Sequence, residues 1–153
     1  MGMDVHGLNP VIRKEPTSEI LKEDWTKLSE DDLGKYFEAK QQQEKDNPGI
    51  YFRNNVWWWR PLWDYVCEVC PDILGYDGRY YGGHNNGGTE FSDDEAKEIA
   101  AKLLQEIDEG NTEAYQKLYE IRTEDDEFEY PFDVDNVKAF AEFCKDSGGF
   151  QIC

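Results

Sequence analysis

Residues 51–70 read YFRNNVWWWRPLWDYVCEVC, and this stretch decides how the rest of the 153-residue chain is arranged. It holds four of the chain's five tryptophans, which are Trp57, Trp58, Trp59 and Trp63. A buried aromatic side chain removes roughly 150–250 Å² from water and therefore dominates the energetics of cores and interfaces. Because the remaining chain is very polar, the sequence predicts that the core, a binding site, or both are built around residues 51–70.

The chain is strongly acidic, with 34 Asp and Glu residues against 16 Lys and Arg residues and a net charge of −18. Such a charge repels the phosphates of DNA and RNA, so we expect no direct contact with nucleic acid. Three roles of the charge stay open: solubility, imitation of nucleic acid to occupy a basic protein partner, and binding of a metal or a cationic partner. The length predicts a single domain over residues 1–153.

The sequence gives no sign of membrane insertion or secretion. No apolar run approaches the ~18 residues of a membrane span, and residues 1–16 lack the apolar region of a secretory signal. We therefore expect a cytoplasmic protein with no membrane partner.

The four cysteines are expected to be free thiols, because a reducing compartment disfavours disulfides. Cys67 and Cys70 lie three residues apart on one face of a predicted helix. The spacing between Cys144 and Cys153 is not that of a zinc knuckle. Buried apolar thiols are therefore favoured over a four-cysteine zinc site, and neither a metal nor a cofactor is predicted.

Apolar periodicity predicts a mostly α chain of four to five helices around a central loop rich in glycine and tyrosine. An α+β chain is the alternative, in which the N-terminal segment and residues 150–153 form a small sheet. Residues 13–49 are predicted to be a helical insertion. Within it, Thr17 or Ser18 and then Ser29 are typical helix N-caps.

Only the second half of the tryptophan stretch is predicted to be helical. Pro61 favours the first helical position, where its missing N–H is not needed, so the predicted helix runs from near Arg60 to Cys70. Residues 54–59 then form a turn or strand that leads into this helix. Three adjacent tryptophans cannot all face the same way, so at least one of them points toward solvent, a cavity or a partner.

The C-terminal half carries clear helix signals. Ser92 begins a capping box ahead of a periodic run, and Gly110 ends the predicted helix. Asn111 or Thr112 caps the next helix, and Asp133 caps the last one. On the second of these three predicted helices, the residues expected to face inward are Ala114, Tyr115, Leu118 and Ile121.

Residues 75–91 read GYDGRYYGGHNNGGTEF, and their six glycines predict that no regular helix forms there. A loop of this composition suits close approach to a ligand. Glycine lets the backbone approach a ligand closely, side-chain amides supply hydrogen-bond donors and acceptors, and tyrosines supply stacking faces. A surface loop or hairpin without a ligand is the alternative.

The candidate ligand site combines this loop with the tryptophan stretch. Residues 51–91 hold three arginines and five acidic residues, a net charge of −2, so the other residues carry −16. Arginine, aromatic faces and glycine amides together suit a small anionic or nucleotide-like ligand. The candidate ligand-binding residues are Arg53, Asn54, Asn55, Trp57, Trp58, Trp59, Arg60, Arg79, Tyr80, Tyr81, His84, Asn85 and Asn86.

Catalytic signatures are weak in this sequence. It has no Walker loop, no H-E-x-x-H zinc motif and no glycine-rich dinucleotide motif between a strand and a helix. Only His6 and His84 supply bases for neutral pH, and a cysteine nucleophile paired with His84 is a weaker hypothesis still. No catalytic residue is assigned, and a non-enzymatic protein is favoured.

Several motifs together resemble a family of small uncharacterised proteins that occurs in bacteriophage and bacterial genomes. The pattern MDVxGxNP at residues 3–10 and the run YFRNNVWWWRPL at residues 51–62 carry the resemblance. It covers nearly the whole chain except the predicted insertion, and it implies a phage-type context in a host cytoplasm without implying an activity. Further matches are Asn85-Asn86-Gly87, Val137, Phe140-Ala141, Phe143, Gly148-Gly149-Phe150 and Ile152-Cys153.

Three functions follow as hypotheses. The favoured one is a non-enzymatic, phage-type binding protein, with an anti-defence role, whose Trp/Tyr/Gly/Asn pocket takes a small anionic or nucleotide-like ligand. The alternative is an acidic DNA mimic or inhibitor of a basic host protein, such as a nuclease or a CRISPR complex; the third is a homo-oligomer assembled through the tryptophans. The acidic residues of the alternative are Glu95, Glu98, Glu106, Asp108 and Glu109, joined by Glu124, Asp125, Asp126 and Glu127 in a solvated link over residues 124–129.

Overall fold

The computed structural model describes residues 2–74, 78–127 and 130–153, in which helices combine with a small antiparallel sheet. The strands are β1 (Gly2–Gly7), β2 (Tyr51–Asn55), β3 (Thr89–Phe91) and β4 (Phe150–Ile152). The helices are α1 (Glu30–Asp46), α2 (Val56–Val69), α3 (Pro71–Leu74), α4 (Gly78–Gly83), α5 (Asp93–Asp108), α6 (Asn111–Thr123) and α7 (Val134–Asp146). The predicted mostly helical chain with a small sheet is confirmed.

The sheet joins the two ends of the chain. Its strand order is β2-β1-β4-β3, and every neighbouring pair is antiparallel. Val5 of β1 lies opposite Phe52 of β2 on one side and opposite Ile152 of β4 on the other. The predicted sheet contribution of both terminal segments is therefore confirmed, and these segments form its two central strands.

The core is aromatic and lies around α2, as the sequence predicts. Trp59 and Trp63 are fully buried and stack on each other with ring centroids 5.4 Å apart. Phe140 of α7 meets both indoles edge to face. Burying one large apolar side chain stabilises a fold by about 1.5–3 kcal/mol, so this cluster anchors α2 against α7.

Helix α2 begins earlier than the proline rule predicts. The Asn55 side chain accepts the backbone N–H of Trp58 at 3.1 Å and caps the helix, which starts at Val56. Pro61 lies inside the helix rather than at its first position, and it therefore cannot donate the usual bond to the carbonyl of Trp57. The asparagine cap, which typically contributes about 1 kcal/mol, sets the start instead.

The glycine-rich segment contains the short helix α4, so the prediction that no helix forms there is wrong. Trp63 donates its indole N–H to the carbonyl of Tyr80 at 3.1 Å, and Trp59 donates its own to the carbonyl of Gly83 at 2.6 Å. Glycine weakens a helix by about 0.5–1 kcal/mol relative to alanine. Tertiary contacts override that propensity here.

Two predicted segments extend beyond the described residues. The glycine-rich loop includes residues 75–77 and the acidic link includes residues 128–129, which lie outside the described ranges. Residues 124–127 are exposed, as a solvated link requires. Residues 84–87 form the turn between α4 and β3.

Helix α5 begins and ends where the sequence predicts, and α7 begins where it predicts. Ser92 and Glu95 make both hydrogen bonds of a capping box at the start of α5. Gly110 follows α5 in the left-handed region, with φ of 79°. Asp133 caps α7 by accepting the backbone N–H of Asn136 at 2.7 Å.

Helix α6 turns a different face to the core than the sequence predicts, and its N-cap is Gly110 rather than either of the two predicted residues. Three of the residues predicted to face inward are exposed, namely Ala114, Leu118 and Ile121. The inner face carries Thr112, Tyr115 and Tyr119. The Tyr65 hydroxyl of α2 and the buried Thr112 hydroxyl form a hydrogen bond of 2.8 Å. Because buried polar groups need partners, this bond fixes the face that α6 turns to α2.

The predicted insertion is helical and lies outside the core. Two 3₁₀ turns, Glu19–Lys22 and Trp25–Lys27, replace the first predicted helix. Ser29 then caps α1 by accepting the backbone N–H of Asp32 at 3.3 Å, as predicted. No residue of α1 is buried.

Asn47 joins the start of this insertion to its end. Its buried side chain accepts the backbone N–H groups of Arg13 and Lys14 at 2.7 and 2.9 Å. Its amide nitrogen donates to the Lys14 carbonyl at 3.0 Å. Arg13 in turn donates two hydrogen bonds to Asp146 of α7, at 2.5 and 2.7 Å. The base of the predicted insertion is therefore closed on itself and fixed to α7.

The cysteines are free thiols, as predicted. Cys70 and Cys144 are buried, and Cys67 is half-buried. Burial raises the pKa of the Cys67 and Cys70 thiols to about 12. The described residues contain no group of three or more His, Cys, Asp or Glu side chains placed to hold a metal ion.

Candidate functional site

The tryptophan stretch and the glycine-rich segment touch each other, as the site hypothesis requires, but their contact leaves no opening at the central indoles. Trp59 and Trp63 are fully buried and bond the backbone of α4. Gly83 packs so closely on Trp63 that no side chain fits between them. Trp59 is therefore a core residue rather than a ligand contact, which corrects its assignment. Trp58 is half-buried.

An opening lies instead on the outer side of this contact, between α2, α4 and α6. It is a groove of about 200 Å³. Its lining residues are Arg60, Pro61, Asp64, Tyr80, His84, Tyr115, Tyr119 and Tyr130. Four of them are tyrosines, so the walls offer both stacking faces and hydroxyl groups.

The Asp64 carboxylate organises one wall of the groove. Its Oδ1 accepts the Tyr80 hydroxyl at 3.0 Å and lies 2.9 Å from Nε2 of His84. Burial alone would raise the pKa of Asp64, but hydrogen bonds from His84 and Tyr80 outweigh burial and leave this pKa below its ordinary value. Asp64 is therefore ionised at neutral pH, and it holds Tyr80 of α4 and His84 of the following turn at the groove.

Tyr130 forms the opposite wall and is held from three sides. Trp57 stacks on its ring, with centroids 5.2 Å apart and planes at 25°. Arg60 donates from Nη1 to the Tyr130 hydroxyl at 3.2 Å, and its guanidinium carbon lies 5.9 Å from the ring centroid. Tyr119 donates its hydroxyl to the Tyr130 carbonyl at 2.6 Å. Trp57, which is 51% exposed, is thus the outward-facing tryptophan that the sequence predicts.

Helix α6 supplies the third wall. The Tyr115 ring lies 4.5 Å from the ring of Tyr65 and 4.9 Å from that of Phe132. Burial raises the pKa of Tyr115, so its hydroxyl stays protonated at neutral pH and keeps its capacity to donate a hydrogen bond.

Only three of the predicted ligand residues line the groove, namely Arg60, Tyr80 and His84. The β2 residues among the others stabilise the fold. Arg53 pairs with Asp4 of β1 at 3.7 Å. Asn54 exchanges two side-chain hydrogen bonds with Asn136 of α7, at 3.1 and 2.9 Å.

Of the predicted ligand residues in the glycine-rich segment, Tyr80 and His84 line the groove and the others do not. Arg79 turns away from the groove, because its guanidinium bonds both carboxylate oxygens of Glu95 and lies 5.0 Å from the ring centroid of Phe91. Three more predicted residues lie outside the groove lining: Tyr81, Asn85 and Asn86.

Five lining residues are not among the sequence candidates: Pro61, Asp64, Tyr115, Tyr119 and Tyr130. Tyr115 and Tyr119 carried a usable signal, since residues four apart share a helix face. Asp64 carried none, because it is one of 34 acidic residues. Tyr130 reaches the groove from a distant part of the chain.

The groove contains one pair of side chains with a capacity for acid–base chemistry. His84 and Asp64 form a histidine–carboxylate pair of the kind that orients a general base. The described residues that line the groove include no Ser, Thr or Cys nucleophile. Cys67 also lies on α2, but its pKa of about 12 keeps the thiol protonated and unreactive at neutral pH.

Comparison of the chain with protein-family models, curated proteins and solved structures finds no match. Among the helices of the described ranges, none has both the length and the apolar character that a membrane crossing requires.

Proposed function

We propose that the protein binds a small, planar, anionic ligand of nucleotide-like chemistry in the groove between α2, α4 and α6. The observation that supports this function is the convergence of four tyrosines and the Arg60 guanidinium on one opening. Stacking of a base on an aromatic side chain contributes about 1–3 kcal/mol. Arginine adds a charge-assisted hydrogen bond to phosphate or carboxylate.

The size of the groove sets which part of the ligand it holds. Its volume of about 200 Å³ is below the roughly 300–1,000 Å³ of pockets that enclose a drug-sized ligand. One planar ring fits among the tyrosines, whereas a whole nucleotide does not. The anionic group therefore lies at the rim, where the exposed Arg60 side chain reaches it.

Charge in the groove is nearly balanced, unlike that of the whole chain. Arg60 faces a single lining carboxylate, Asp64, which already accepts bonds from Tyr80 and His84. The net charge of −18 repels an anion at a distance. At physiological salt the Debye length is about 8 Å, so contacts within the groove decide the affinity.

Trp57 provides the readout for a test, because it stacks on the groove wall at Tyr130. The experiment is a titration of the protein with nucleoside monophosphates, nucleoside triphosphates and cyclic nucleotides, followed by tryptophan fluorescence and calorimetry. At least one ligand should bind saturably, and Arg60→Gln and Tyr130→Ala should each weaken it about tenfold or more. The matched control is Arg53→Gln, which removes another exposed arginine outside the groove and should leave the affinity unchanged.

Two results would contradict this function. The first is the absence of both heat and fluorescence change for every nucleotide tested. The second is an equal loss of affinity in Arg60→Gln and Arg53→Gln, which would mean that binding follows general charge rather than the groove.

The biological setting is proposed on the resemblance to phage and bacterial proteins. A phage-type, anti-defence protein in the host cytoplasm would use this groove to sequester a nucleotide-like signal. Expression of the wild-type protein in a bacterial host with nucleotide-signalled immunity should raise phage plating. Expression of the Arg60→Gln variant should not raise plating. Equal plating with both proteins would show that the groove has no part in an anti-defence role.

An acidic inhibitor of a basic host protein is the second candidate. It is favoured by the exposed acidic run over residues 124–127. Helix α5 contributes less than the sequence predicts, because Glu95 pairs with Arg79 and Glu98 pairs with Lys102 at 3.3 Å. Binding of this kind weakens steeply with salt. A pull-down from host lysate that is unchanged between low and high salt would discard it.

A further inference from the structure

The two oxygens of the Asp64 carboxylate have different surroundings. Oδ1 accepts the Tyr80 hydroxyl at 3.0 Å and Nε2 of His84 at 2.9 Å. An ionised carboxylate oxygen has about two acceptor positions, so these two bonds occupy Oδ1. Within the described ranges no residue donates a hydrogen bond to Oδ2, and the Asp64 side chain is 50% exposed where it lines the groove. Oδ2 therefore offers acceptor positions to a molecule in the groove.

The Asp64 carboxylate is held in one orientation before any ligand arrives. Asp64 follows the fully buried Trp63 on α2, and Trp63 bonds the Tyr80 carbonyl at 3.1 Å. The Tyr80 side chain in turn bonds Asp64, so the backbone and the side chain of the same tyrosine are both fixed to α2. A group that is already ordered loses little conformational entropy when a ligand binds.

A hydrogen-bond donor lies near this acceptor. Burial is the main cause of the raised pKa of Tyr115, and the negative charges of Glu68 and Asp64 add to it. The field of Asp64 therefore reaches the Tyr115 hydroxyl, which stays protonated at neutral pH. No residue in the described ranges accepts a hydrogen bond from this hydroxyl. The groove thus presents a charged acceptor and a neutral donor to one ring edge.

Nucleobases differ in how well they match this pair of groups. Guanine carries two adjacent donors, N1–H and the N2 amino group, beside the O6 acceptor. Hypoxanthine has the ring N–H and the carbonyl without the amino group. Adenine has a lone pair at N1 and no amino group at C2. Among these three purines, only guanine can direct two N–H groups at one carboxylate oxygen while its carbonyl accepts from a hydroxyl.

We propose that the ring held in the groove is guanine and that Oδ2 of Asp64 reads it, an inference that rests on the proposed binding of a nucleotide-like ligand. N1–H and the N2 amino group donate to Oδ2, and the Tyr115 hydroxyl donates to O6. Hydrogen bonds to an ionised acceptor are stronger than neutral ones. A site built to bond an N–H group rejects analogues that lack it. Asp64 is therefore the specificity-determining residue.

The base and the anionic group of the ligand are read by different residues. Arg60 lies one turn before Asp64 on α2, about 6 Å along the helix axis, and it contacts the anionic group. All nucleoside monophosphates share that group. The ratio of affinities for two bases therefore cancels the contribution of Arg60 and reports on the Asp64 contact.

Calorimetry with guanosine, inosine, adenosine and xanthosine 5′-monophosphates tests the proposal. Wild type should bind the guanosine compound about tenfold or more tightly than the adenosine compound, with inosine between them. In Asp64→Asn this guanosine-to-adenosine ratio should fall to within about threefold of unity. Circular dichroism checks that the variant is folded.

Xanthosine monophosphate supplies a readout that a damaged groove could not produce. In Asp64→Asn the retained amide oxygen still accepts from Tyr80 and His84, so the amide nitrogen takes the position of Oδ2. Xanthine carries a carbonyl at C2, where guanine carries its amino group, and this carbonyl accepts from the new amide. The ratio of xanthosine to guanosine affinity should therefore rise about tenfold or more in the variant.

The matched control is Glu68→Gln, which removes another exposed carboxylate one turn after Asp64, outside the groove lining. It should leave the base preference unchanged. Saturable binding that Arg60→Gln weakens but that shows no guanine preference would overturn the guanine assignment and leave the proposed function standing. A guanine preference that survives Asp64→Asn, or that is lost equally in Glu68→Gln, would overturn the role of Asp64. No binding of any of the four nucleotides would remove both the inference and the proposed function.

Discussion

The carbonyl oxygen of Gly83 accepts a hydrogen bond from the indole Nε1 of Trp59 at 2.6 Å. The same glycine packs on the ring of Trp63, so α4 lies directly on the two buried indoles of α2. Tyr80 on the outer side of α4 and His84, the residue that directly follows α4, form a wall of the candidate groove. The core contact and the groove wall thus depend on the same six-residue helix.

The first prediction concerns the close approach of Gly83 to Trp63. In Gly83→Ala the added methyl group collides with the indole. Overpacking a core typically costs about 1–3 kcal/mol, so the free energy of unfolding should fall by that amount. The matched control is Gly34→Ala on α1, where the added methyl group meets open space. It should raise the free energy of unfolding by about 0.4–1 kcal/mol.

Urea unfolding followed by tryptophan fluorescence measures both effects in one experiment. Equal stability of Gly83→Ala and wild type would show that α4 is not docked on Trp63. That result would also remove the basis for placing Tyr80 and His84 at the groove.

The second prediction concerns the buried hydrogen bond between Tyr65 and Thr112. Thr112→Val keeps the shape of the side chain but leaves the Tyr65 hydroxyl without a partner, which should cost about 1–3 kcal/mol of unfolding free energy. Thr112→Ser keeps the hydroxyl and should cost less. Thermal or urea unfolding of the two variants measures the difference, and a Val variant as stable as the Ser variant would argue against the bond.

The sequence predicts those helix ends that are set by local hydrogen bonds. Ser92, Ser29 and Asp133 each cap a helix as predicted, because an N-cap bond joins residues only three apart. The start of α2 was predicted wrongly because two local signals compete there. The side chain of Asn55 caps the helix, and Pro61 is tolerated inside it.

The groove depends on contacts that local patterns do not contain. Helix α4 forms in a glycine-rich segment because Trp59 and Trp63 bond its carbonyl oxygens, and these bonds exist only once α2 and α4 have docked. Tyr130 joins Arg60 across 70 residues of chain. The composition of residues 51–91, with its arginines and aromatic residues, predicts Arg60, Tyr80 and His84 of the candidate groove but not the tyrosines of its other walls.

The third prediction concerns Asn47, which closes the base of the predicted insertion, residues 13–49. Asn47→Ala removes its hydrogen bonds to Arg13 and Lys14, at a cost of about 1–3 kcal/mol for the groups left unpaired. Because α1 lies outside the core, this loss should loosen residues 13–49 more than the rest of the chain. Limited trypsin digestion should cut the insertion at its lysines faster in Asn47→Ala than in wild type.

The control for this experiment is Gln42→Ala, which removes an exposed side chain of α1 that bonds only within the helix, to Asp46 at 3.0 Å. It should leave the rate of cleavage near that of wild type. If Asn47→Ala resists trypsin as well as wild type does, the insertion is held by other contacts.

The last prediction is a pH dependence that arises from Glu95. The hydrogen bond from Arg79 lowers the pKa of Glu95 below its ordinary value of 4.5, although burial opposes this change. A lowered folded-state pKa contributes stability that is fully present above the unfolded pKa and is lost as pH falls through the folded one. Glu95→Gln removes the charge while glutamine preserves the capping box with Ser92. Wild type should therefore exceed this variant in unfolding free energy by about 0.2–1 kcal/mol at neutral pH, and the gap should close below pH 4.5. Urea unfolding across this pH range, with Arg79→Gln and the double variant completing a mutant cycle, isolates the pair; a gap that stays constant or widens in acid would contradict the assignment.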